Sequence, residues 1–144
     1  MKRTEYLDYY KIVGAAMEVH RQLGRGLDEH IYQEALQIEL EMRGITVERE
    51  KKLSLWYKYK LMKKYYYVDM YYNGLIIELK SVSNICSEHR AQLQNYMRIS
   101  KTYRGLLINF GEKSLYAERY LYSPKDDNFK LINSGNYKRY IDKE

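Results

Sequence analysis

Tyr65-Tyr66-Tyr67-Val68-Asp69-Met70-Tyr71-Tyr72-Asn73-Gly74-Leu75-Ile76-Ile77-Glu78-Leu79-Lys80 is the stretch whose reading decides the fold. Two runs rich in β-branched and aromatic residues flank Asn73-Gly74, and Asn-Gly between such runs is the strongest short-range signal for a type I′ hairpin. With those two residues as the turn, Tyr72 pairs with Leu75, Tyr71 with Ile76, Met70 with Ile77 and Asp69 with Glu78. Directly paired residues point to one face, and alternation adds Lys80 to it. Like charges directly opposite each other destabilise a sheet. Two carboxylates there need a compensating cation, and Lys80 is only one charge. A divalent metal with an open coordination position is the natural occupant, which suggests a phosphodiesterase site.

Working outward, helical spacing of Tyr6, Tyr9, Tyr10, Val13, Ala16, Met17, His20 and Leu23 predicts an amphipathic helix over about 4–23. Gly24 and Gly26 break it, with Gly24 placed to cap its end. Asp28 can cap a second helix that carries Ile31, Ala35, Leu36 and Leu40 and ends near Gly44. Strands are expected at 45–49 and 53–59, then the hairpin. Ser87 can cap a third helix to about Ser100, followed by strands at 104–110 and 115–122. The only proline, Pro124, marks the end of the compact core. Residues 1–124 therefore read as one domain and 125–144 as an extension, either an edge strand at 129–132 or a loose tail. This order of elements predicts an α/β fold, an α+β sandwich.

Asp69 followed by Glu78-Leu79-Lys80 at the end of an apolar strand resembles the D…(D/E)xK signature of the PD-(D/E)xK nuclease superfamily. Gly26-Leu27-Asp28-Glu29-His30-Ile31-Tyr32 fits the motif that names its GxxExxY family. Residues 12–20 and Leu107-Ile108-Asn109-Phe110-Gly111 are also similar to that family. Four segments in the right order are far more specific than a lone D…ExK. Two departures stand out: Val68 precedes Asp69 where the superfamily name has proline, and Tyr67 stands where relatives often carry arginine.

The resemblance implies an αβββαβ core with a mixed central sheet flanked by helices, and metal-dependent hydrolysis of DNA. It places Asp69, Glu78, the Leu79 carbonyl and Glu29 around Mg²⁺ or Mn²⁺, ions that favour oxygen ligands. Lys80 would orient or deprotonate the attacking water. Gln92 and Tyr96, four apart and on one helix face, resemble a QxxxY element that contacts phosphate or orients Lys80. Tyr32 shares a face with Glu29 and either positions that carboxylate or simply packs. His20 reads as a core histidine, and His30 and His89 as solvated helix positions.

Composition sets outer bounds. With 144 residues the chain is long enough for one sizeable core. It has no apolar run of membrane-spanning length, and its start moves straight into an amphipathic pattern. One cysteine, Cys86, excludes an intramolecular disulfide and a multi-cysteine zinc site, and reads as a partly buried small residue. The expectation is a soluble cytoplasmic protein with no membrane partner; oligomeric state is left open. The net charge of +6 has the sign of a nucleic-acid partner, DNA ahead of RNA. From Trp56 to Tyr72, Lys58, Lys60, Lys63 and Lys64 alternate with seven tyrosines, a mixture that can track phosphates and stack bases. Two other readings accompany the nuclease: a nucleic-acid-binding module without turnover, and an accessory subunit that meets a protein partner.

Overall fold

The computed structural model describes residues 1–143. Two helices come first, α1 (Arg3–Leu23) and α2 (Glu29–Met42). Strands β1 (Glu48–Tyr57), β2 (Lys60–Tyr72) and β3 (Leu75–Lys80) follow, then helix α3 (Ser87–Ser100). The chain closes with β4 (Arg104–Asn109), β5 (Tyr116–Ser123), β6 (Asn128–Leu131) and a 3₁₀ turn at Tyr137–Tyr140. The six strands lie in sequence order. Only β3 and β4 are parallel; the other neighbours are antiparallel. A parallel neighbour requires a crossover, and α3 supplies it. The result is the expected α+β sandwich around a mixed sheet.

Each face of the sheet has its own core. Tyr9, Ile12, Tyr32, Leu36 and Leu40 of the first two helices meet Met70, Ile77, Leu79, Leu106 and Ile108 on one side. Leu93 and Met97 of α3 meet Val68, Ile76, Leu107 and Tyr120 on the other. The apolar run of β3 is thus shared alternately between two cores, as expected of a strand covered on both faces.

Local chemistry fixes the joints. The amide of Gly24, at φ +73°, closes α1 on the His20 carbonyl at 2.8 Å. Asp28 Oδ1 accepts the His30 amide at 2.8 Å and so starts α2, a cap worth about 1 kcal/mol. Asn73 and Gly74 both have positive φ, +47° and +79°, as a type I′ turn demands. Buried Arg104 donates to Asp8 Oδ2 at 2.8 Å, to the Glu5 carbonyl at 2.7 Å and to the Asn73 carbonyl, stapling α1 to that turn.

Several elements differ from the sequence reading. The expected strands at 45–49 and 53–59 are one continuous β1, and β2 begins at Lys60 rather than Tyr65. Their far ends form a two-stranded ribbon, turning at Lys58 (φ +56°), with residues 60–67 all exposed. A ribbon wet on both faces has no apolar alternation to announce it. The helix cap expected at Ser87 is Cys86, which is exposed, and its amide donates to His89 Nδ1 at 3.1 Å. β6 pairs at the sheet edge, Ile132 enters the larger core, and Tyr137 stacks on Tyr6 at 3.9 Å. No helix of the described residues is long and apolar enough to cross a membrane.

One irregularity sets up the site. Val68 lies in the core under α3, whereas Met70, two residues on, lies in the core under α1 and α2. On β1 the same reversal separates Leu53 from Arg49, whose guanidinium bonds Gln33 and Gln37 of α2. Both strands therefore change face at the rung of Glu50 and Asp69, where regular pairing is interrupted and Glu50 takes φ +49°. Buried Gln33 fills the gap: its Nε2 donates to the Asp69 carbonyl at 2.9 Å and to Glu50 Oε1 at 3.0 Å.

Candidate functional site

The backbone ladder of the hairpin stops at Met70 and Ile77, one rung short of the expected pairing of Asp69 with Glu78. Side chains take over from there. Glu78 Oε1 accepts the amide of Asp69 at 3.0 Å, and Asp69 Oδ2 accepts the amide of Leu79 at 2.8 Å. Glu78 is buried and Asp69 half-buried. Burial, then the charge of Asp69, pushes Glu78 well above the usual carboxylate range. Burial also raises Asp69; the Leu79 amide opposes this, while the charges of Glu29 and Glu50 add to it. The pair thus holds a proton more tightly than free carboxyls do, because burial and neighbouring carboxylates outweigh the charge of Lys80 and the bonds from backbone amides.

Lys80 continues the Glu78 face of β3 towards α3. Its Nζ donates to Gln92 Oε1 at 2.9 Å, and Gln92 Nε2 donates to the Tyr96 hydroxyl at 3.2 Å. A neutral amide therefore holds the ammonium and leaves its charge uncompensated at that contact. Burial, followed by the charge of Glu78, keeps the Tyr96 phenol protonated beyond its ordinary range. The loop after Lys80 is pinned by Asn109, which bonds both the amide and the carbonyl of Val82, at 3.1 and 2.9 Å. A side chain at Gly111 would collide with the Val82 backbone, so the close approach requires glycine there.

Glu29, in the first turn of α2, acts on Asp69 through its charge. Tyr32 is placed otherwise. Its hydroxyl donates to the Gly24 carbonyl at 2.6 Å and accepts the Leu27 amide at 3.2 Å, and its ring stacks on Phe110. It holds the loop that delivers Glu29 rather than touching the carboxylate. Ser81 ties the same loop to the end of β3 by donating to the Leu27 carbonyl at 2.6 Å. Sequence reasoning missed Gln33 and Glu50. Gln33 was accessible in principle, since it lies four residues beyond Glu29 on one helical face.

Among the described residues, no three His, Cys, Asp or Glu side chains form a metal-holding group. The chemistry of the Asp69–Glu78 pair nevertheless suits a hard divalent cation: two adjacent, charge-starved carboxylates supply oxygen donors. Mg²⁺ commonly binds through one or two carboxylates and completes its shell with other oxygens.

The sequence profile of the PD-(D/E)XK nuclease superfamily matches residues 7–120, and the chain belongs to that superfamily. No curated protein matches it. Among solved structures, the crystal structure of SSO0001 aligns at 20% identity and a TM-score of 0.46. That alignment covers 61% of this chain and 48% of the other, so this chain spans about half of its length.

Proposed function

We propose that this chain is a Mg²⁺- or Mn²⁺-dependent nuclease that hydrolyses DNA phosphodiester bonds and belongs to the GxxExxY group of its superfamily. The observation that carries the reading is the buried Asp69–Glu78 pair, without a cation in direct contact, beside a lysine held only by an amide. Asp69 and Glu78 are the principal metal donors, with the Leu79 carbonyl and Glu29 completing the set. A bound divalent ion supplies charge to the scissile phosphate and acidifies water. Lys80 orients the attacking water and offsets charge that grows on the phosphate. Gln92 keeps the ammonium in place, and the protonated Tyr96 donates towards Gln92 or a phosphate oxygen.

The test is cleavage and binding of labelled single-stranded, double-stranded and branched DNA, and of RNA, with Mg²⁺ or Mn²⁺. Lys80→Ala is expected to slow cleavage about 10²-fold or more while barely changing affinity, the scale of one positioned acid–base or electrostatic group. Wild-type protein that binds these substrates without cutting any would make the chain a binding module. Protein that neither binds nor cuts would favour the accessory-subunit reading.

A further inference from the structure

The β1–β2 ribbon and α3 enclose an open groove of about 570 Å³ that shares two walls with the site just described. Gln92, which holds Lys80, and Tyr96, which accepts from Gln92, line it together with Leu55, Tyr66, Asn95 and Ile99. The rings of Tyr66 and Tyr96 stand 5.5 Å apart at 49°, an aromatic corner rather than a closed stack. The lining is mainly apolar, with the amide nitrogen of Asn95 to bond a polar ring edge.

Charge selects the occupant. Between Lys52 and Val68 the ribbon carries five lysines and no carboxylate, whereas Lys51 is paired with Glu48 at 3.1 Å. On the groove face Lys64 lies over the ring of Tyr66 at 5.5 Å, and on the opposite face Lys52 lies over Tyr65 at 4.3 Å, so each face of the ribbon joins a cation to an aromatic ring. An apolar peptide would gain nothing from that charge, whereas a polyanion with flat, partly apolar rings matches both features. Glu88, on the α3 side of the groove, repels phosphate and directs the backbone to the ribbon. Within a duplex, bases are stacked and paired and cannot enter.

We propose that this groove seats an unpaired nucleobase of a single-stranded segment, with the adjoining backbone on the ribbon lysines and the neighbouring phosphate beside Lys80. The proposal deepens the nuclease reading by naming its substrate class: nucleic acid unpaired at or next to the cut.

The test uses metal-free protein in EDTA, so that hydrolysis plays no part. An oligothymidine carrying one 2-aminopurine is titrated and compared with a blunt duplex of equal length and with the corresponding RNA. The single strands are expected to bind at least tenfold more tightly than the duplex, with a change in probe fluorescence. Tyr66→Ala should weaken binding about tenfold, the scale of one base–aromatic stack. Ala91→Leu should narrow the groove and remove the fluorescence change; both positions are exposed, and thermal melts verify folding. Duplex bound as tightly as single strand, or a fluorescence response unchanged in both variants, would overturn the proposal. Discrimination without any cleavage on adding Mn²⁺ keeps the groove and removes the nuclease reading. Duplex cleavage that ignores both variants does the reverse.

Discussion

Glu78 and Glu118 occupy one face of the sheet on either side of Leu107, which pairs with both. They are equally buried, at 4% and 5% exposure. Their surroundings differ completely. Glu118 receives Arg90 of α3 through both carboxylate oxygens, at 2.8 to 3.1 Å, and the hydroxyls of Tyr116 and Tyr120 at 2.5 Å each. Burial pushes its pKa up, but the bonds from Arg90 and the two phenols outweigh that and hold it below the usual range. Glu78 has the Asp69 amide and a second carboxyl group, and its pKa moves the other way. The same residue type in the same layer is completed internally in one place and left short of positive charge in the other. Glu118 is satisfied within the fold; Glu78 is not, and the proposed metal would supply the charge it lacks.

The largest effect should come from breaking the satisfied glutamate. Arg90→Ala would leave Glu118 buried and ionised without its cation, and should destabilise the fold by about 3 kcal/mol in urea denaturation. Glu118→Gln should recover much of that loss in the double variant, because the buried charge goes as well.

An intermediate effect should come from completing the unsatisfied one. A metal that binds only the folded chain stabilises it by mass action, by about 2.7 kcal/mol at a hundredfold excess over Kd. Mn²⁺ or Mg²⁺ is therefore expected to raise Tm in wild type and in Arg90→Ala alike. Asp69→Ala should remain folded and lose the rise. An equal rise in Asp69→Ala would mean the ions bind elsewhere on the surface.

The smallest effect is in pH, where the two glutamates should have opposite signs. Glu118 has a lowered folded pKa, so its contribution is present above the ordinary carboxylate pKa and is lost as pH falls through the folded value. Asp69 and Glu78 have raised folded pKa values, so metal-free stability declines as pH climbs from the ordinary carboxylate pKa through those raised values. In EDTA, Glu118→Gln should flatten the acid side of the stability profile and Glu78→Gln the side above it. A Glu78→Gln profile superposable on wild type would contradict the charge-starved description.

The hairpin was legible because turn chemistry is local: Asn73-Gly74 sets the register from Tyr72–Leu75 to Met70–Ile77, and it brings Asp69 near Glu78 although their own rung does not pair. The two cores were legible through helical periodicity and the buried run of β3. What stayed hidden depends on partners distant in sequence. Nothing local marks Glu50 as a residue with positive φ, or announces that Gln33 of α2 will bond across the gap that results. The Arg90–Glu118 clamp joins residues 28 apart across α3 and β5, and neither carries a spacing signal. The ribbon escaped because its strands answer to each other and not to a core.

The coincident change of face at Glu50 and Asp69 has a consequence for how this chain can vary. That rung is a phase boundary, and a second irregularity lies beyond it: Ser54 pairs with Tyr65 but Trp56 with Leu61, so β2 carries two more residues than β1 across that step. The ribbon can therefore grow or shrink by matched pairs of residues, one from each strand, without shifting Asp69 against Glu78. An unmatched single insertion on the ribbon side of the rung is absorbed at the distal turn or at the irregularity between Ser54 and Trp56, which already takes up unequal strand lengths. On the other side it moves the carboxylates out of register. The molecule thus separates a handle whose length is free from a centre whose spacing is not.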